Sequence, residues 1–166
     1  VLVCPHGSAI AEAARPHALR VHEIAMKGDA DFGMVGRLRA LIREERPDIV
    51  HLHSRRGSDL WGGLAARLEG VPAVLSRRVD NPEPRWWVKR KYRLYARVIA
   101  ISEGIRQVLL GEGLSADQVV CVHSAVDTER YRPEPADRAW LRAEFGLAEN
   151  EATLAMAAQF LSLIHI

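Results

Sequence analysis

Short apolar runs alternate with amphipathic stretches along most of this chain. The runs show no strict alternation of polar and apolar residues, which is typical of strands whose two faces are both covered by helices. We predict strands over 1–4, 21–25, 48–53, 73–77, 98–102, 119–123 and 153–160.

Between the runs, apolar residues recur with helical spacing. The stretch 35–44 places aliphatic residues on one face and arginines on the other, and Pro47 ends it. Further helices are predicted over 57–68, over about 83–96, and after Ser102, which can cap the amino end of its helix. This order of elements predicts an α/β fold, a Rossmann-like parallel sheet flanked by helices with right-handed crossovers.

The pattern changes at 131–135, where two prolines in three residues suppress helix formation. We therefore predict a first domain over 1–130, a linker over 131–135 and the first helix and strand of a second domain over 136–160. The last six residues, 161–166, back-translate to CTGTCTCTTATACACATC, which resembles a transposase adapter used in sequencing libraries. We expect them to be an artefact and the natural protein to continue, although a genuine apolar strand end is the alternative.

The composition, with 48% hydrophobic and 27% charged residues, is that of a soluble globular protein. No uncharged apolar run of about 18 residues is present, so no transmembrane helix is predicted. The two cysteines, Cys4 and Cys121, lie inside apolar runs, which excludes a disulfide framework and favours the cytoplasm. A net charge of only +2 argues against a nucleic-acid binder.

Candidate chemistry is expected at the carboxyl ends of the strands, where open parallel sheets bind ligands. The third predicted strand ends in His51, Leu52 and His53, and a period of two places both imidazoles on one face. His53 lies at the mouth and is the candidate catalytic group, whereas His51 is interpreted as structural. We predict no metal site, because only His6 offers a third ligand.

Two arginine pairs follow neighbouring strand ends, and guanidinium groups recognise phosphate and carboxylate in bidentate fashion. The loop before the first helix adds a histidine and a serine that could hold a phosphate at the helix amino end, with plain capping by the serine as the alternative. The predicted acceptor-binding residues are Ser54, Arg55, Arg56, Ser76, Arg77, Arg78, His6 and Ser8. We expect at least one arginine of each pair to be used on a rim carboxylate, that of Asp59, Asp80 or Glu83.

The stretch 85–93 contains five basic residues, three aromatic residues and no acid. Val88, Tyr92 and Tyr95 share a face that we expect to pack on the sheet. The outward side favours contact with an anionic membrane surface; single-stranded nucleic acid and a merely solvated face are alternatives. The predicted membrane-contact residues are Arg85, Trp86, Lys89, Arg90 and Arg93.

Four segments in this order, 47–54, 70–76, 98–103 and 119–133, resemble glycosyltransferase family 4. The resemblance implies the GT-B fold, in which an N-terminal Rossmann-like domain binds the acceptor and a C-terminal one binds a nucleotide sugar. It also implies retaining glycosyl transfer without a metal or other cofactor, a place for His53 in the active cleft, and a structural, turn-forming role for Asp127.

The sequence departs from the family pattern at several points. Ser76 stands where the family often has histidine, and Ser124 and Ala125 replace its usual asparagine and glycine. The glycine-rich opening loop and the Glu-x7-Glu signature of the donor site are not found, so we expect the 166 residues to be inactive alone.

We expect the complete enzyme to serve cell-envelope or lipopolysaccharide assembly. Its acceptor would be an anionic glycolipid at the inner face of the cytoplasmic membrane. A non-catalytic α/β module that binds an anionic ligand is the alternative. A sugar-nucleotide epimerase would need a cluster of carboxylates and histidines that the sequence does not show.

Overall fold

The computed structural model describes residues 1–53 and 57–154 and divides the chain into two compact units, Val1–Ser124 and Ala125–Ile166. In the first unit strands and helices alternate as the sequence predicts. The elements are β1 Leu2–Pro5, α1 Ala9–Ala14, β2 Val21–Ile24, α2 Gly33–Glu45, β3 Val50–Leu52, α3 Ser58–Leu68, β4 Ala73–Arg77, α4 Arg85–Lys91, a 3₁₀ turn Tyr92–Leu94, β5 Arg97–Ala100, α5 Glu103–Gly111 and β6 Val119–Cys121.

All strand pairs in the described residues are parallel, which confirms the α/β class. The strands form two sheets in the described residues. β1 and β2 form a two-stranded sheet, whereas β3, β4, β5 and β6 form a four-stranded sheet in that order. Within the described residues no strand pairs with both sheets, so the backbone ladder is interrupted between them.

The core lies on one face of the four-stranded sheet, beneath α3, α4 and α5. Leu75 and Val98 point into it from neighbouring strands, and burial of such a side chain contributes about 1.5–3 kcal/mol. α3 lies close to the sheet because it carries glycines at the contact. A Cβ at Gly62 would overlap the Leu52 side chain, and one at Gly63 would crowd Tyr95.

The predicted helix over 83–96 is shorter than expected, because α4 tightens into the 3₁₀ turn after Lys91. Its inner face is nevertheless as predicted. Val88, Tyr92 and Tyr95 are all buried in the core.

The second unit contains the helix α6, Pro135–Phe145. Pro135 opens it, because a proline in the first turn loses no helical hydrogen bond, and Gly146 closes it in the left-handed conformation with φ 63°. Asp127 accepts backbone hydrogen bonds from Glu129 and Arg130 through its Oδ1, which confirms its turn-forming role. Of the predicted strand 153–160, residues 153 and 154 are not in a strand, and the rest lies outside the described residues, as does 161–166.

Candidate functional site

Three polar side chains follow the carboxyl ends of adjacent strands in the four-stranded sheet. His53 follows β3, Arg78 follows β4 and Ser102 lies shortly after β5. Because β3, β4 and β5 are parallel, their carboxyl ends share one edge, where open α/β sheets bind their ligands. We take this edge as the candidate site.

His51 on β3 and His53 directly after it have neighbouring rings on one face of the strand, as predicted. Their ring centroids are 3.9 Å apart and their planes are tilted by 38°. The Nε2 atom of His51 lies 2.9 Å from the Oγ atom of Ser76 on β4. Ser76, predicted to contact the acceptor, is thus a partner of His51 in this structure.

The pKa of both imidazoles lies below its ordinary value, which favours the neutral form. Burial lowers the pKa of His53, and the positive charge of Arg78 lowers it further. Burial also lowers the pKa of His51, with a smaller effect from His53. His53 and Arg78 follow the carboxyl ends of the paired strands β3 and β4, and across that edge the positive charge of Arg78 opposes protonation of His53.

A cavity of about 560 Å³ opens beside Arg78. Ser102 and Gly104 line it at the amino end of α5. The Oγ atom of Ser102 accepts a hydrogen bond of 3.2 Å from the backbone N–H of Ile105, so Ser102 caps α5 as predicted. Arg78 is exposed and lines this cavity.

Arg77 has a different role from its neighbour. Its side chain is buried and donates to the Val79 carbonyl at 2.8 Å and, through Nη1, to Glu83 Oε2 at 2.9 Å and to the Tyr92 hydroxyl at 2.7 Å. Nη2 donates to the carbonyl of Asn81. The structure thus assigns Arg77 to internal pairing instead of acceptor binding, as expected for one arginine of this pair.

A second buried cation, Lys91, completes this network. Its Nζ lies 2.6 Å from Asp59 Oδ2 and 2.9 Å from Glu83 Oε1. The network joins β4, α3, α4 and the loop 78–84, and so fixes the loop that carries Arg78. Lys91 is one of the five basic residues of 85–93, and its burial was not predicted. The helical spacing from Val88 to Lys91 and on to Tyr95 was the available signal.

The loop after β1 does not match its prediction. Gly7 turns the chain with φ 66°, and its N–H donates to the Glu23 carboxylate at 2.8 Å. Ser8 occupies the cap position of α1 but makes no side-chain capping bond, and its Oγ is buried without a partner among the described residues. The Glu23 carboxylate therefore accepts from the N–H of Gly7, a donor that a ligand phosphate would need. His6 is exposed beside Gly7, on the separate β1–β2 sheet.

The remaining predicted acceptor residues, Ser54, Arg55 and Arg56, lie outside the described residues. In the described part of the chain no group of three His, Cys, Asp or Glu side chains could hold a metal ion. Over the same residues no helix has the length and apolar character needed to cross a membrane.

The outward face of α4 is basic and aromatic. Trp86 is 68% exposed, and three exposed basic side chains follow it, those of Lys89, Arg90 and Arg93. Arg85 Nη2 donates to the Gly111 carbonyl at 2.8 Å, which ties the start of α4 to α5.

The fold and this edge define a class, the doubly wound α/β domains with ligands at the carboxyl ends of parallel strands. A glycosyltransferase from Rickettsia africae shares 16% identity with the chain at a TM-score of 0.69, over 89% of this chain and 42% of that one. Anabaena Alr3699/HepE in complex with UDP-glucose shares 18% at a TM-score of 0.63, over 86% and 41%. The UDP-N-acetylglucosamine 2-epimerase of Rickettsia bellii shares 16% at 0.59, over 89% and 44%.

At these identities the likeness shows the fold alone, and the chain spans less than half the length of each structure. No curated protein matches it in sequence. The sequence profile of Glycosyltransferase Family 4 matches residues 1–130. The protein belongs to this family, and the Rossmann-like architecture expected from the resemblance is confirmed.

Proposed function

We propose that the complete protein transfers a glycosyl unit, with retention of configuration, from a nucleotide sugar to an anionic glycolipid or lipopolysaccharide-type acceptor. The observation that carries the proposal is that His53 and Arg78 follow the carboxyl ends of the paired strands β3 and β4, at the ligand-binding edge of the sheet, with an open cavity beside Arg78. Family membership supports glycosyl transfer. The acceptor class rests on Arg78.

On this proposal His53 and Arg78 bind two different groups of the acceptor. The neutral imidazole of His53 forms a hydrogen bond with the acceptor hydroxyl, and the guanidinium of Arg78 pairs with an acceptor phosphate or carboxylate. The arginine also keeps the imidazole neutral, because its charge opposes protonation of His53. His53 acts by positioning, since retaining transfer does not require a separate protein base.

The donor is proposed to bind to a second domain that begins with α6. Alr3699/HepE was solved with UDP-glucose, which supports a nucleotide-sugar donor in proteins of this fold. Stabilisation of the leaving diphosphate would fall to that domain. We therefore expect the 166 residues alone to lack transferase activity, and turnover of a nucleotide sugar by the purified chain would contradict this.

A titration of the chain with glucose 6-phosphate and with glucose tests the acceptor class. We expect the phosphorylated sugar to shift the NMR signals of Arg78 and His53, and glucose to leave them unchanged. Arg78→Gln should abolish the response, whereas Arg138→Gln, an equal loss of charge on exposed α6, should retain it. Equal responses to both sugars would refute an anionic acceptor.

We further propose that the outward face of α4 docks the protein on the inner face of the cytoplasmic membrane. A basic residue near an anionic surface contributes about 1 kcal/mol, so replacement of two should weaken vesicle binding roughly 30-fold. Lys89→Gln with Arg90→Gln should show this loss on phosphatidylglycerol-containing vesicles. Arg130→Gln with Arg138→Gln is the matched control, and equal binding by the two double variants would exclude this face.

A further inference from the structure

The positions of Ser76, His51 and His53 follow from the strand register. His51 pairs with Val74 across β3 and β4, so Ser76, two residues beyond Val74, lies on the same face as His51. His53, two residues beyond His51, lies on that face as well. The register thus places a hydroxyl and two imidazoles side by side.

Ser76 is suited to hold the His51 ring. The serine is buried, with 9% of its surface exposed, and its Oγ lies 2.9 Å from His51 Nε2. A serine hydroxyl can donate or accept, so its hydrogen bond to Nε2 suits either tautomer of a neutral imidazole and fixes the orientation of the ring.

The His51 ring in turn restricts His53. Aromatic pairs ordinarily have ring centroids about 4.5–7 Å apart, and the 3.9 Å between these imidazoles is closer. A rotation of His53 towards His51 would bring the rings into collision. Arg78, on the loop after β4, also acts on His53 through its charge. Such an electrostatic effect does not fix the orientation of the ring as the contact with His51 does.

We propose that Ser76 and His51 are positioning residues for His53. Ser76 fixes the orientation of the His51 ring, and His51 holds the His53 ring in one rotamer, aimed at the ligand-binding edge. This proposal rests on the proposed function only in assigning the acceptor hydroxyl to His53. It gives His51 a role beyond the structural one expected from the sequence, and it moves Ser76 from contact with the acceptor to support of the site.

NMR of the ¹⁵N-histidine-labelled chain tests the arrangement without any substrate. Three-bond couplings around χ1 of His53 should report a single rotamer in the wild type. His51→Ala should average these couplings, whereas His51→Phe, which retains a flat ring without its nitrogens, should preserve the single rotamer. Should His51→Ala fail to fold, His51→Leu provides the same test, because it fills space without a ring.

Ser76→Ala tests the other half of the proposal. It should average the three-bond couplings around χ1 of His51, which should report a single rotamer in the wild type, while Ser115→Ala, at an exposed serine, should leave them unchanged. Wild-type couplings for His53 in His51→Ala or His51→Leu would overturn the role of His51. Unchanged His51 couplings in Ser76→Ala would overturn that of Ser76. Neither measurement depends on glucose 6-phosphate, so failure of the sugar titration would count against the proposed function alone.

Discussion

Replacement of Lys91 by methionine should destabilise the first unit strongly. The Lys91 side chain is 3% exposed, and its ammonium group lies between the carboxylates of Asp59 and Glu83. Methionine fills a similar volume but leaves two buried carboxylates without this cation. Arg77 still pairs with Glu83, so most of the loss should fall on Asp59.

Removal of one partner from a buried ion pair costs about 3–5 kcal/mol. Small domains have a free energy of unfolding of about 5–15 kcal/mol, so the variant should lose a large share of it. With a urea dependence near 2 kcal/mol per molar, the unfolding midpoint should fall by about 2 M.

Urea unfolding followed by tryptophan fluorescence measures this effect. Trp87 lines the same cavity of about 490 Å³ as Lys91, and a Trp140→Phe background removes the tryptophan of the second unit. Lys89→Met is the matched control, because Lys89 is an exposed lysine of the same helix. The control should stay within about 0.5 kcal/mol of the wild type.

The pH dependence of Lys91→Met has a defined sign. In the wild type, burial raises the pKa of Glu83, but Lys91 and Arg77 outweigh it and hold the pKa below its ordinary 4.5. Stability from this group is present above pH 4.5 and is lost as the pH falls through the lowered pKa. Without Lys91 the carboxylate protonates more readily, so the deficit of the variant should shrink on acidification. Equal stability of Lys91→Met and Lys89→Met at pH 7 would refute the reasoning.

Three further predictions concern the site, the core and the exposed side of α2. Arg78→Gln should raise the pKa of His53, because the positive charge that opposes its protonation is removed; an NMR titration in which the pKa stays unchanged would show that the two groups are not coupled. Gly62→Ala should cost about 1–3 kcal/mol of unfolding free energy because its methyl group meets Leu52. Gly36→Ala, with open space at its Cβ in the middle of α2, should instead stabilise by up to about 1 kcal/mol in the same denaturation assay.

Most of the secondary structure could be predicted because local pattern determines it. The core strands β4 and β5 and the helix α3 begin and end within about two residues of their predicted limits. The separation of β1 and β2 from the other strands could not be predicted in this way. Which strands become neighbours depends on packing between distant segments, and periodicity does not report it.

The site was predictable to the extent that it depends on strand ends. The sequence predicts His53 and Arg78 at neighbouring strand ends, and in the structure they follow the paired strands β3 and β4. One arginine of the pair 77 and 78 was expected to be used inside the protein, but which of the two was not predicted, although the signal was present. Arg77 is two residues beyond Leu75 and therefore shares the core-facing side of β4, whereas Arg78 leaves the strand.

The loop after β1 depends on a partner that is distant in the sequence. Gly7 donates to Glu23 of β2, sixteen residues away. Asp59 was expected to pair with an arginine at the rim, but its cation is Lys91, on another helix. The role of a side chain whose partner is distant in the sequence cannot be predicted from the residues around it.

The buried network and the exposed site residues depend on each other. A loop that carries a lone exposed arginine loses side-chain and backbone entropy when a ligand orders it, and this loss weakens binding. Arg77 reduces the loss by binding the carbonyls of Val79, directly after Arg78, and of Asn81, so the loop is already ordered. Glu83, held by Arg77 and Lys91, anchors the far end of the loop. The adjacent arginines are therefore not two copies of one binding group: the first holds the loop in place, and this leaves the second free to meet the ligand.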